Sequence, residues 1–523
     1  MKLSVPDRFN AASYFIDCHI ESRAEKVAIE CGDDRVTYGG LAAGVNRVGN
    51  ALRRSLGVRI EERVLLLLLD TPDFAACFFG AIKIGAVPVP VNTLLRSHEY
   101  EYLLNDSRAR VAMVSEALLP QIKAIPRDRL LFLEHVVVIG DPVHGTHSYS
   151  ELISAQSPEL GPAPTSKDDP AFWLYSSGST GPPKGCVHLQ HDMVVASELY
   201  AKQILNITER DRFFSVAKLF FAYGLGNGLY FPLSAGGTSI LLPGPPNPGS
   251  VFDVIERRQP TLFFSVPSNY AALLAHSRAG AEFDLSSIRY GVSAGESLPA
   301  AIYERFKSRF GVEILDAIGS TEALHMFIAN RPGAARAGSS GQLIPGMDAK
   351  IVDDDGHPVP AGDIGNLYIR SDAVCACYWN QHEKTKETID GHWLRTGDKY
   401  RQDQDGYFWY AGRADDMLKV SGVWVSPAEI ECALVEHPAV LEAAVVARKD
   451  QDELVKPVAF VVLSRGRMAG PELATELEDF VAARLAPYKR PRWVEFLPEL
   501  PKTATGKVQR YKLRMAQAPS KAQ

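Results

Sequence analysis

Short apolar runs alternate with helical stretches through the N-terminal part of the chain, and this alternation constrains the fold more than any other feature. Residues 64–69 form one apolar run, residues 74–84 an apolar helical stretch, and residues 86–91 a second run. Further runs of the same kind lie at 110–114, 136–139, 239–242 and 261–266. This rhythm is typical of βαβ units, whose parallel strands are buried on both faces. The sequence therefore predicts an α/β fold with largely parallel sheets.

From Gly338 onward the pattern changes to turns and alternating strands. The segments Asp353-Asp-Asp-Gly356 and Asp403-Gln-Asp-Gly406 are typical of hairpin turns between strands. We therefore expect a smaller, barrel-like β subdomain in this part of the chain.

A polar, glycine-containing segment at 412–416 follows the strand-like residues 407–410. Beyond it the pattern predicts helices and strands in mixed order: helices near 427–436 and 471–485, and strands at 441–447, at 458–462 and from Trp493. With 523 residues the chain is too long for one hydrophobic core. We expect an N-terminal domain of residues 1–412, a hinge at 413–416 and a C-terminal α+β domain of residues 417–523.

Charge and cysteine content exclude several classes of protein. The net charge of −6 argues against a nucleic-acid-binding protein. The C-terminal end is nevertheless locally basic, and this basic segment either contacts a polyphosphate or forms a solvent-exposed face. Seven cysteines lack metal-ligand spacing and favour a reducing compartment. The aliphatic run at 64–69 is too short to cross a bilayer, and the N-terminus has no long apolar region. We expect a cytoplasmic protein without nucleic-acid or membrane partners, and a homodimer stays open.

The segment from Ser176 to Gly185, Ser-Ser-Gly-Ser-Thr-Gly-Pro-Pro-Lys-Gly, carries the strongest chemical signal. It follows an apolar run at 171–175, and its two internal glycines let backbone N–H groups point inward without a Cβ clash. Hydroxyl groups and the Lys184 ammonium add further donors. A lysine followed by glycine does not fit the ordinary P-loop pattern. The segment predicts a phosphate-binding cradle, and a plain Ser/Gly linker is the alternative.

Four more segments follow the cradle: Phe220-Phe-Ala-Tyr-Gly224, Ala317-Ile-Gly-Ser-Thr-Glu322, Arg395-Thr-Gly-Asp398 and Pro501-Lys-Thr-Ala-Thr-Gly-Lys507. In this order, the five segments resemble the signatures of the adenylate-forming superfamily, which comprises acyl-CoA synthetases, peptide-synthetase adenylation domains and luciferases. The resemblance implies a large N-terminal domain of two α/β subdomains plus a small β-barrel subdomain, followed by a small mobile α+β C-terminal domain. It also implies ATP and Mg²⁺ as cofactors and an acyl-adenylate as the intermediate.

The same resemblance implies a role for individual residues. Lys507, Thr180 and Glu322 would be catalytic, and Glu322 would bind the metal. The residues implied for ATP binding are Ser176, Ser177, Gly178, Ser179, Thr180, Gly181, Lys184, Gly295, Glu296, Asp316, Ala317, Thr321, Asp398, Arg413 and Lys507. Charge neutralisation suits this chemistry, because an anionic carboxylate must attack an anionic phosphate.

Three of these residues also have ordinary structural explanations. Lys507 could be a surface lysine. Glu322 could cap a helix, since Ser320-Thr-Glu precedes an apolar run. Asp398 could shape a turn.

The second half-reaction needs an acceptor for the acyl group, and no carrier or condensation domain is visible in the sequence. The resemblance implies a free-standing ligase that uses coenzyme A, with Asp415 at the hinge. Lys419, Ser421, Gly422 and Trp424 would bind coenzyme A after the small domain rotates.

A narrower resemblance concerns the acid. The segments 8–15, 65–74 and 217–228 resemble those of bacterial benzoate-CoA ligases. This resemblance implies that Phe221, Ala222, Tyr223, Ile318, Gly319 and His325 line the acyl pocket. Ordinary core packing is the alternative for each. Ligases for 4-hydroxybenzoate, aminobenzoate, fluorobenzoate or heteroaromatic acids, and a non-catalytic nucleotide-binding relative, also stay open.

Overall fold

A computed structural model of the chain describes residues 3–176, 182–276, 283–414, 416–420, 423–450, 454–502 and 508–515. Its helices are α1 (Ala11–Phe15), α2 (Ile20–Arg23), α3 (Tyr38–Asn50), α4 (Pro72–Lys83), α5 (Ser97–Asp106), α6 (Leu119–Lys123), α7 (Tyr149–Ser154), α8 (Asp192–Ala196), α9 (Ala222–Leu225), α10 (Phe231–Ala235), α11 (Pro248–Arg258), α12 (Pro267–Ala275), α13 (Ala300–Phe310), α14 (His382–Thr388), α15 (Pro427–Val435), α16 (Pro471–Ala482) and α17 (Arg510–Met515).

The strands of the N-terminal part are β1 (Val27–Cys31), β2 (Asp34–Thr37), β3 (Arg63–Leu67), β4 (Val87–Pro90), β5 (Val111–Ser115), β6 (His135–Ile139), β7 (His147–Ser148), β8 (Pro170–Ser176), β9 (Lys184–Leu189), β10 (Arg212–Ser215), β11 (Thr238–Leu241), β12 (Leu262–Ser265), β13 (Tyr290–Ser293), β14 (Ile314–Gly319), β15 (Met326–Ala329), β16 (Gly341–Leu343), β17 (Asp348–Val352), β18 (Gly365–Arg370), β19 (Cys377–Tyr378), β20 (Ile389–Asp390), β21 (Trp393–Gln402) and β22 (Tyr407–Arg413). Those of the C-terminal part are β23 (Leu418–Val420), β24 (Val423–Val425), β25 (Val440–Lys449), β26 (Val455–Leu463) and β27 (Trp493–Phe496).

The predicted βαβ rhythm is confirmed in a five-stranded parallel sheet with the order β4-β3-β5-β6-β7. Strand β3 is continuously apolar after its first residue and buried, as expected for a strand covered on both faces. Helix α4 begins with Pro72 at its first position and buries all residues from Phe74 to Lys83.

A second sheet joins a parallel half to an antiparallel half. Strands β14-β13-β12-β10-β11-β1 are parallel to one another, and β2 pairs antiparallel with β1 at that edge. On the other side of β14, strands β15, β16, β22, β21, β18 and β17 follow with antiparallel pairing. The strand-rich region predicted from Gly338 is confirmed, but the antiparallel half of this sheet begins before it, at β15, where Ala317 of β14 pairs with Ala329 of β15. The hairpin at 403–406 lies between β21 and β22 as predicted.

The C-terminal part contains the β23–β24 hairpin, the three-stranded sheet β25-β26-β27 and helices α15 to α17. It matches the predicted α+β order, and α15 lies against β22 and α13 of the preceding part. Each of the seven cysteines lies within the described residues and is a free thiol. Among the described helices, none has the length and apolar character that a membrane span requires.

Candidate active site

The predicted acyl and nucleotide residues follow the carboxyl ends of adjacent parallel strands. Strands β10, β12, β13 and β14 are neighbours, and the segments after β10, β13 and β14 carry Phe221, Gly295 with Glu296, and Thr321 with Glu322. Ligands of open α/β sheets bind outside this edge of the sheet. The fold therefore brings these separate segments to one edge.

Strands β8 and β9 form an antiparallel hairpin in which Ser176 pairs with Lys184. Strand β8 is anchored by Ala171, Phe172, Trp173 and Leu174, which are all buried. The predicted cradle residues Ser177, Gly178, Ser179, Thr180 and Gly181 lie outside the described residues. The described ends of the cradle are thus fixed to each other across a hairpin.

Glu322 is held by a segment far away in the sequence. The Tyr378 hydroxyl donates a hydrogen bond of 2.7 Å to Oε1 of Glu322, and the Cys375 amide donates one of 2.7 Å to its carbonyl oxygen. The Lys184 ammonium lies 4.5 Å from the centroid of the Tyr378 ring. The cradle lysine and the predicted metal carboxylate therefore contact the same tyrosine.

The main chain of Thr321 contacts a buried histidine–aspartate pair. His188 Nε2 lies 2.9 Å from the Thr321 carbonyl oxygen and Nδ1 lies 2.8 Å from Oδ2 of Asp192, and both side chains are fully buried. A carbonyl and a carboxylate only accept hydrogen bonds. Each ring nitrogen of His188 therefore lies within hydrogen-bond distance of a buried oxygen acceptor, and this fixes the ring beneath Thr321.

Asp316 lies beneath the loop that carries Gly295 and Glu296. Ser293 of β13 pairs with Asp316 of β14, and the Leu298 amide donates to Oδ2 of Asp316 at 3.4 Å. Burial raises the pKa of Asp316 well above its ordinary value. Gly295 has a φ of +91°, a left-handed conformation that favours glycine.

Asp398 and Arg413 face each other across β21 and β22. They are register partners, and Arg413 Nη1 lies 3.2 Å from Oδ1 of Asp398. Between them, a Cβ on Gly397 would meet the Arg413 guanidinium at 2.7 Å. The close approach of the guanidinium explains the glycine in the Arg395–Asp398 motif.

The predicted acyl residues surround a buried aromatic cluster. Ala222 is 8% exposed, and Tyr223 donates from its hydroxyl to the carbonyl oxygens of Ser265 and Val292, each at 3.1 Å. Phe221 packs edge-to-face on Phe220. These contacts fix the residues at the ends of β12 and β13.

His325 is 3% exposed, and burial lowers its pKa to about 3. Its ring stacks on Tyr200 at 5.4 Å between centroids and lies 4.5 Å from Phe231 and 5.8 Å from Tyr223. A Cβ on Gly319 would meet the His325 carbonyl oxygen at 2.4 Å. Ile318 and Gly319 precede the same turn and are partly exposed.

Sequence reasoning missed several residues around these sites. Tyr200, Tyr230 and Phe231 pack around His325, whereas His188 and Tyr378 hold Thr321 and Glu322. Tyr230 and Phe231 follow shortly after the predicted 217–228 segment, which is the one signal that pointed toward them.

The described ends of the predicted catalytic-lysine segment are also located. Lys502 and Val508 form a β-bridge, and the Val508 amide donates to Oε1 of Glu296 at 3.3 Å. Lys507 lies outside the described residues, as do Asp415, Ser421 and Gly422. The backbones of Lys419 and Trp424 pair across the β23–β24 hairpin.

Comparisons with known proteins agree with this arrangement. The model of the AMP-binding enzyme family matches residues 17–379, and that of the AMP-binding enzyme C-terminal domain matches residues 429–507. The chain is 50% identical over 516 residues to the benzoate–CoA ligase of Thauera aromatica, covering 98% of this chain and 97% of that protein.

Two solved structures are also similar over nearly the whole chain. The benzoate CoA ligase from Burkholderia xenovorans LB400 gives a TM-score of 0.89 at 46% identity, covering 97% of this chain and 100% of that one. The anthranilate CoA ligase AuaEII in complex with anthranoyl-AMP gives a TM-score of 0.95 at 46% identity, covering 98% of each chain. The family resemblance read from the five motifs is confirmed, and this chain belongs to the AMP-binding enzyme family.

Proposed function

We propose that this chain is an AMP-forming acid–thiol ligase that joins benzoate, or a close aromatic carboxylic acid, to coenzyme A. One observation carries the proposal: β14 bears Asp316 and Ala317 of the nucleotide set next to Ile318 and Gly319 of the acyl set, and Thr321 and Glu322 follow directly. An acid and a nucleotide bound at this strand end would meet there. The activities of these relatives, benzoate and anthranilate ligation to coenzyme A, support the same chemistry.

In the first half-reaction a carboxylate oxygen attacks the α-phosphorus of ATP. The new O–P bond forms as the bond to the bridging oxygen breaks, and pyrophosphate leaves with that electron pair. Lys507 is proposed to contact both the carboxylate and the α-phosphate, whereas Thr180 and Lys184 hold the pyrophosphate oxygens. Asp398, with Arg413 beside it, suits the ribose hydroxyls because an ionised carboxylate only accepts hydrogen bonds.

The residues present fit a magnesium ion at Glu322. Its Oε1 accepts from Tyr378, whereas its Oε2 accepts no hydrogen bond from any residue that the structure describes. Carboxylate oxygens are ligands that Mg²⁺ prefers. When bound, Mg²⁺ would neutralise phosphate charge as pyrophosphate departs.

In the second half-reaction the thiolate of coenzyme A attacks the acyl carbon, the C–S bond forms and AMP leaves with the oxygen. We place the domain boundary at 412, the hinge at 413–416 with Asp415, and the C-terminal domain at 417–523. Rotation about this hinge would withdraw Lys507 and bring Lys419, Ser421, Gly422 and Trp424 to the acyl group. The position before the rotation would keep water out of the site while the acyl-adenylate forms, and the rotation would then admit the thiol of coenzyme A.

An aromatic acid is favoured because the predicted acyl residues lie in an aromatic environment. Tyr223, Tyr200 and Phe231 surround the His325 ring, and flat rings pack well against such walls. His325, with its low pKa, would present a neutral imidazole to the acid at neutral pH.

A ring-substituted benzoate is the second candidate. The Tyr200 and Tyr230 hydroxyls and both ring nitrogens of His325 are buried without a hydrogen-bond partner among the described residues. Buried polar groups ordinarily have partners. An amino or hydroxyl substituent on the ring would supply one.

Pyrophosphate release across a panel of acids tests the proposal. Benzoate, 2-aminobenzoate, 4-hydroxybenzoate, cyclohexanecarboxylate and acetate would be compared with and without coenzyme A. We expect acid-dependent release with the aromatic acids and a benzoyl thioester only when coenzyme A is present. Equal rates with acetate would exclude an aromatic-acid ligase, and a higher kcat/KM for an amino or hydroxy acid would favour the second candidate.

A further inference from the structure

Tyr378 contacts two residues that are assigned above to the phosphate site, Glu322 and Lys184. Its hydroxyl donates to Glu322 Oε1 at 2.7 Å, and its ring face lies 4.5 Å from the Lys184 ammonium. The side chain is nearly fully buried, with 3% of the residue exposed. No other contact among the described residues links Lys184 to Glu322 in this way.

The backbone around Tyr378 fixes it to the cradle hairpin. Strand β19 pairs with β9, and Tyr378 is the register partner of Cys186, two residues after Lys184. The Cys375 amide holds the Glu322 carbonyl oxygen at 2.7 Å. One short segment, residues 375–378, therefore contacts the main chain and the side chain of Glu322.

The chemistry of the contact fixes the direction of the hydrogen bond. A carboxylate oxygen accepts hydrogen bonds, whereas a phenol O–H donates one. The phenol therefore stays a donor, and its partner oxygen is the acceptor. The other carboxylate oxygen, Oε2, accepts no hydrogen bond from the residues that the structure describes.

We propose that Tyr378 is a positioning residue that sets the orientation of the Glu322 carboxylate toward the nucleotide's divalent cation and couples it to Lys184 of the cradle. This inference rests on the proposed function, since it concerns the same phosphate site. Groups that hydrogen-bond to a metal-binding carboxylate or histidine orient that ligand, and their loss typically costs about 10- to 100-fold in metal affinity or activity. The cation–π contact adds a second tie that survives removal of the hydroxyl.

The variant Tyr378→Phe tests the hydroxyl alone, because it keeps the ring under Lys184. Mn²⁺ binding to the enzyme with ATP and no acid, followed by electron paramagnetic resonance, reports on the site without turnover. We expect Mn²⁺ affinity to fall about 10- to 100-fold. In turnover, half-maximal activity should need correspondingly more Mg²⁺, while the KM for benzoate is unchanged.

Tyr38→Phe is the matched control. The Tyr38 hydroxyl is also buried and donates to a carbonyl oxygen, that of Gly237, at 2.8 Å, but it lies at another part of the fold. Mn²⁺ affinity in this variant should equal that of the unmodified enzyme.

The double variant Tyr378→Phe with Glu322→Gln distinguishes positioning from a general effect. If the hydroxyl acts through the carboxylate, its removal should have no further effect on Mn²⁺ affinity once Glu322 is glutamine. Unchanged Mn²⁺ affinity in Tyr378→Phe, or a full additional loss in the double variant, would overturn the inference. An enzyme that binds Mn²⁺ and ATP but ligates no aromatic acid would instead contradict the proposed function. The Mn²⁺ affinities of the Tyr378 variants would still test the positioning role, because that measurement needs no turnover.

Discussion

The backbone amide of Val508 donates a hydrogen bond to the side chain of Glu296 at 3.3 Å. Val508 belongs to the C-terminal part, and Glu296 follows β13 in the large sheet. The chain position directly after Lys507 is therefore held at the loop of Gly295 and Glu296, which is predicted to bind the nucleotide. A lysine that serves adenylation would be expected near this loop.

Lys507→Ala should abolish adenylation and spare thioester formation. Removing a preorganised donor at developing charge costs about 100- to 1,000-fold in rate. Acid-dependent pyrophosphate release would be compared with thioester formation from supplied benzoyl-adenylate. Lys512→Ala, at an exposed position on α17, is the control. An equal loss in both assays would refute the assignment.

Asp398→Asn should weaken ATP binding, because the variant loses charge-assisted hydrogen bonds worth about 1.5–3 kcal/mol. The unmodified enzyme should bind 2′-deoxyATP less tightly than ATP, and the variant should lose much of this discrimination. Asp348→Asn is a matched control, since Asp348 and Arg370 are also register partners on antiparallel strands but are exposed. Undiminished discrimination in Asp398→Asn would exclude a ribose contact.

Gly226→Ala should impair acid binding. An added Cβ would meet His325 Cδ2 at 2.5 Å and Nε2 at 2.7 Å, and the histidine is enclosed by Tyr200 and Phe231. Overpacking of this kind costs about 1–3 kcal/mol. We expect the KM for benzoate to rise while the KM for ATP is unchanged.

The control for this substitution is Gly244→Ala, where an added Cβ has nothing within 4 Å. Both variants would be assayed by steady-state kinetics with each substrate varied in turn. Benzoate kinetics that are unaltered in Gly226→Ala would place the acid elsewhere.

His188→Ala should lower the free energy of unfolding by about 3–5 kcal/mol, because it removes the buried ring beside Asp192, which then keeps only the Leu189 amide and His191 among the residues that the structure describes. His357→Ala removes a histidine from an exposed pair with Asp353 at the same i,i+4 spacing and 3.5 Å. That loss should be at most about 1 kcal/mol. Urea unfolding followed by circular dichroism measures the free energy of unfolding of both variants. Equal decreases would show that the buried His188–Asp192 pair stabilises the fold no more than the exposed pair does.

His325 should make stability depend on pH. Its pKa in the folded protein is about 3, whereas an unfolded histidine takes up its proton near pH 6.5, so only the unfolded state is protonated between these values. The contribution of the buried neutral His325 ring to the free energy of unfolding is fully present above about pH 6.5. It is lost as the pH falls below this value, at about 1.4 kcal/mol per pH unit.

The variant His325→Phe keeps an aromatic ring at this position but has no titratable group there. Between pH 6.5 and pH 5 its free energy of unfolding should therefore fall by about 2 kcal/mol less than that of the unmodified protein. Urea unfolding across this range gives both curves. Parallel curves would contradict the burial of a neutral imidazole.

Local patterns were sufficient to predict most of the fold. The apolar run at 64–69 became β3, and residues 74–84 became most of α4, because burial on both faces requires continuous apolar sequence. The C-terminal α+β order was also predicted correctly, with α15 and β25 near their expected bounds. The start of the antiparallel half of the large sheet was missed because Met326 to Ala329 has no turn or alternation that sets it apart.

The motif residues of the candidate site could be predicted from the sequence, whereas the residues that hold them in place could not. Tyr378 lies 56 positions from Glu322, and His188 lies 133 positions from Thr321. Hydrogen bonds over such separations leave no local periodicity. Tyr200 follows α8 and His325 follows β14, and the two rings come into contact only because both segments pack into the same core.

Strand β14 carries residues predicted for the nucleotide side, Asp316 and Ala317, directly before residues predicted for the acid side, Ile318 and Gly319. Engineering a new acid preference by altering Ile318 or Gly319 would therefore disturb cosubstrate handling as well, and Gly319 has no room for a side chain. Ala222 belongs to the predicted acid set alone, and Phe231 lies against His325 of that set. Directed evolution for other acids is thus best begun at these two positions.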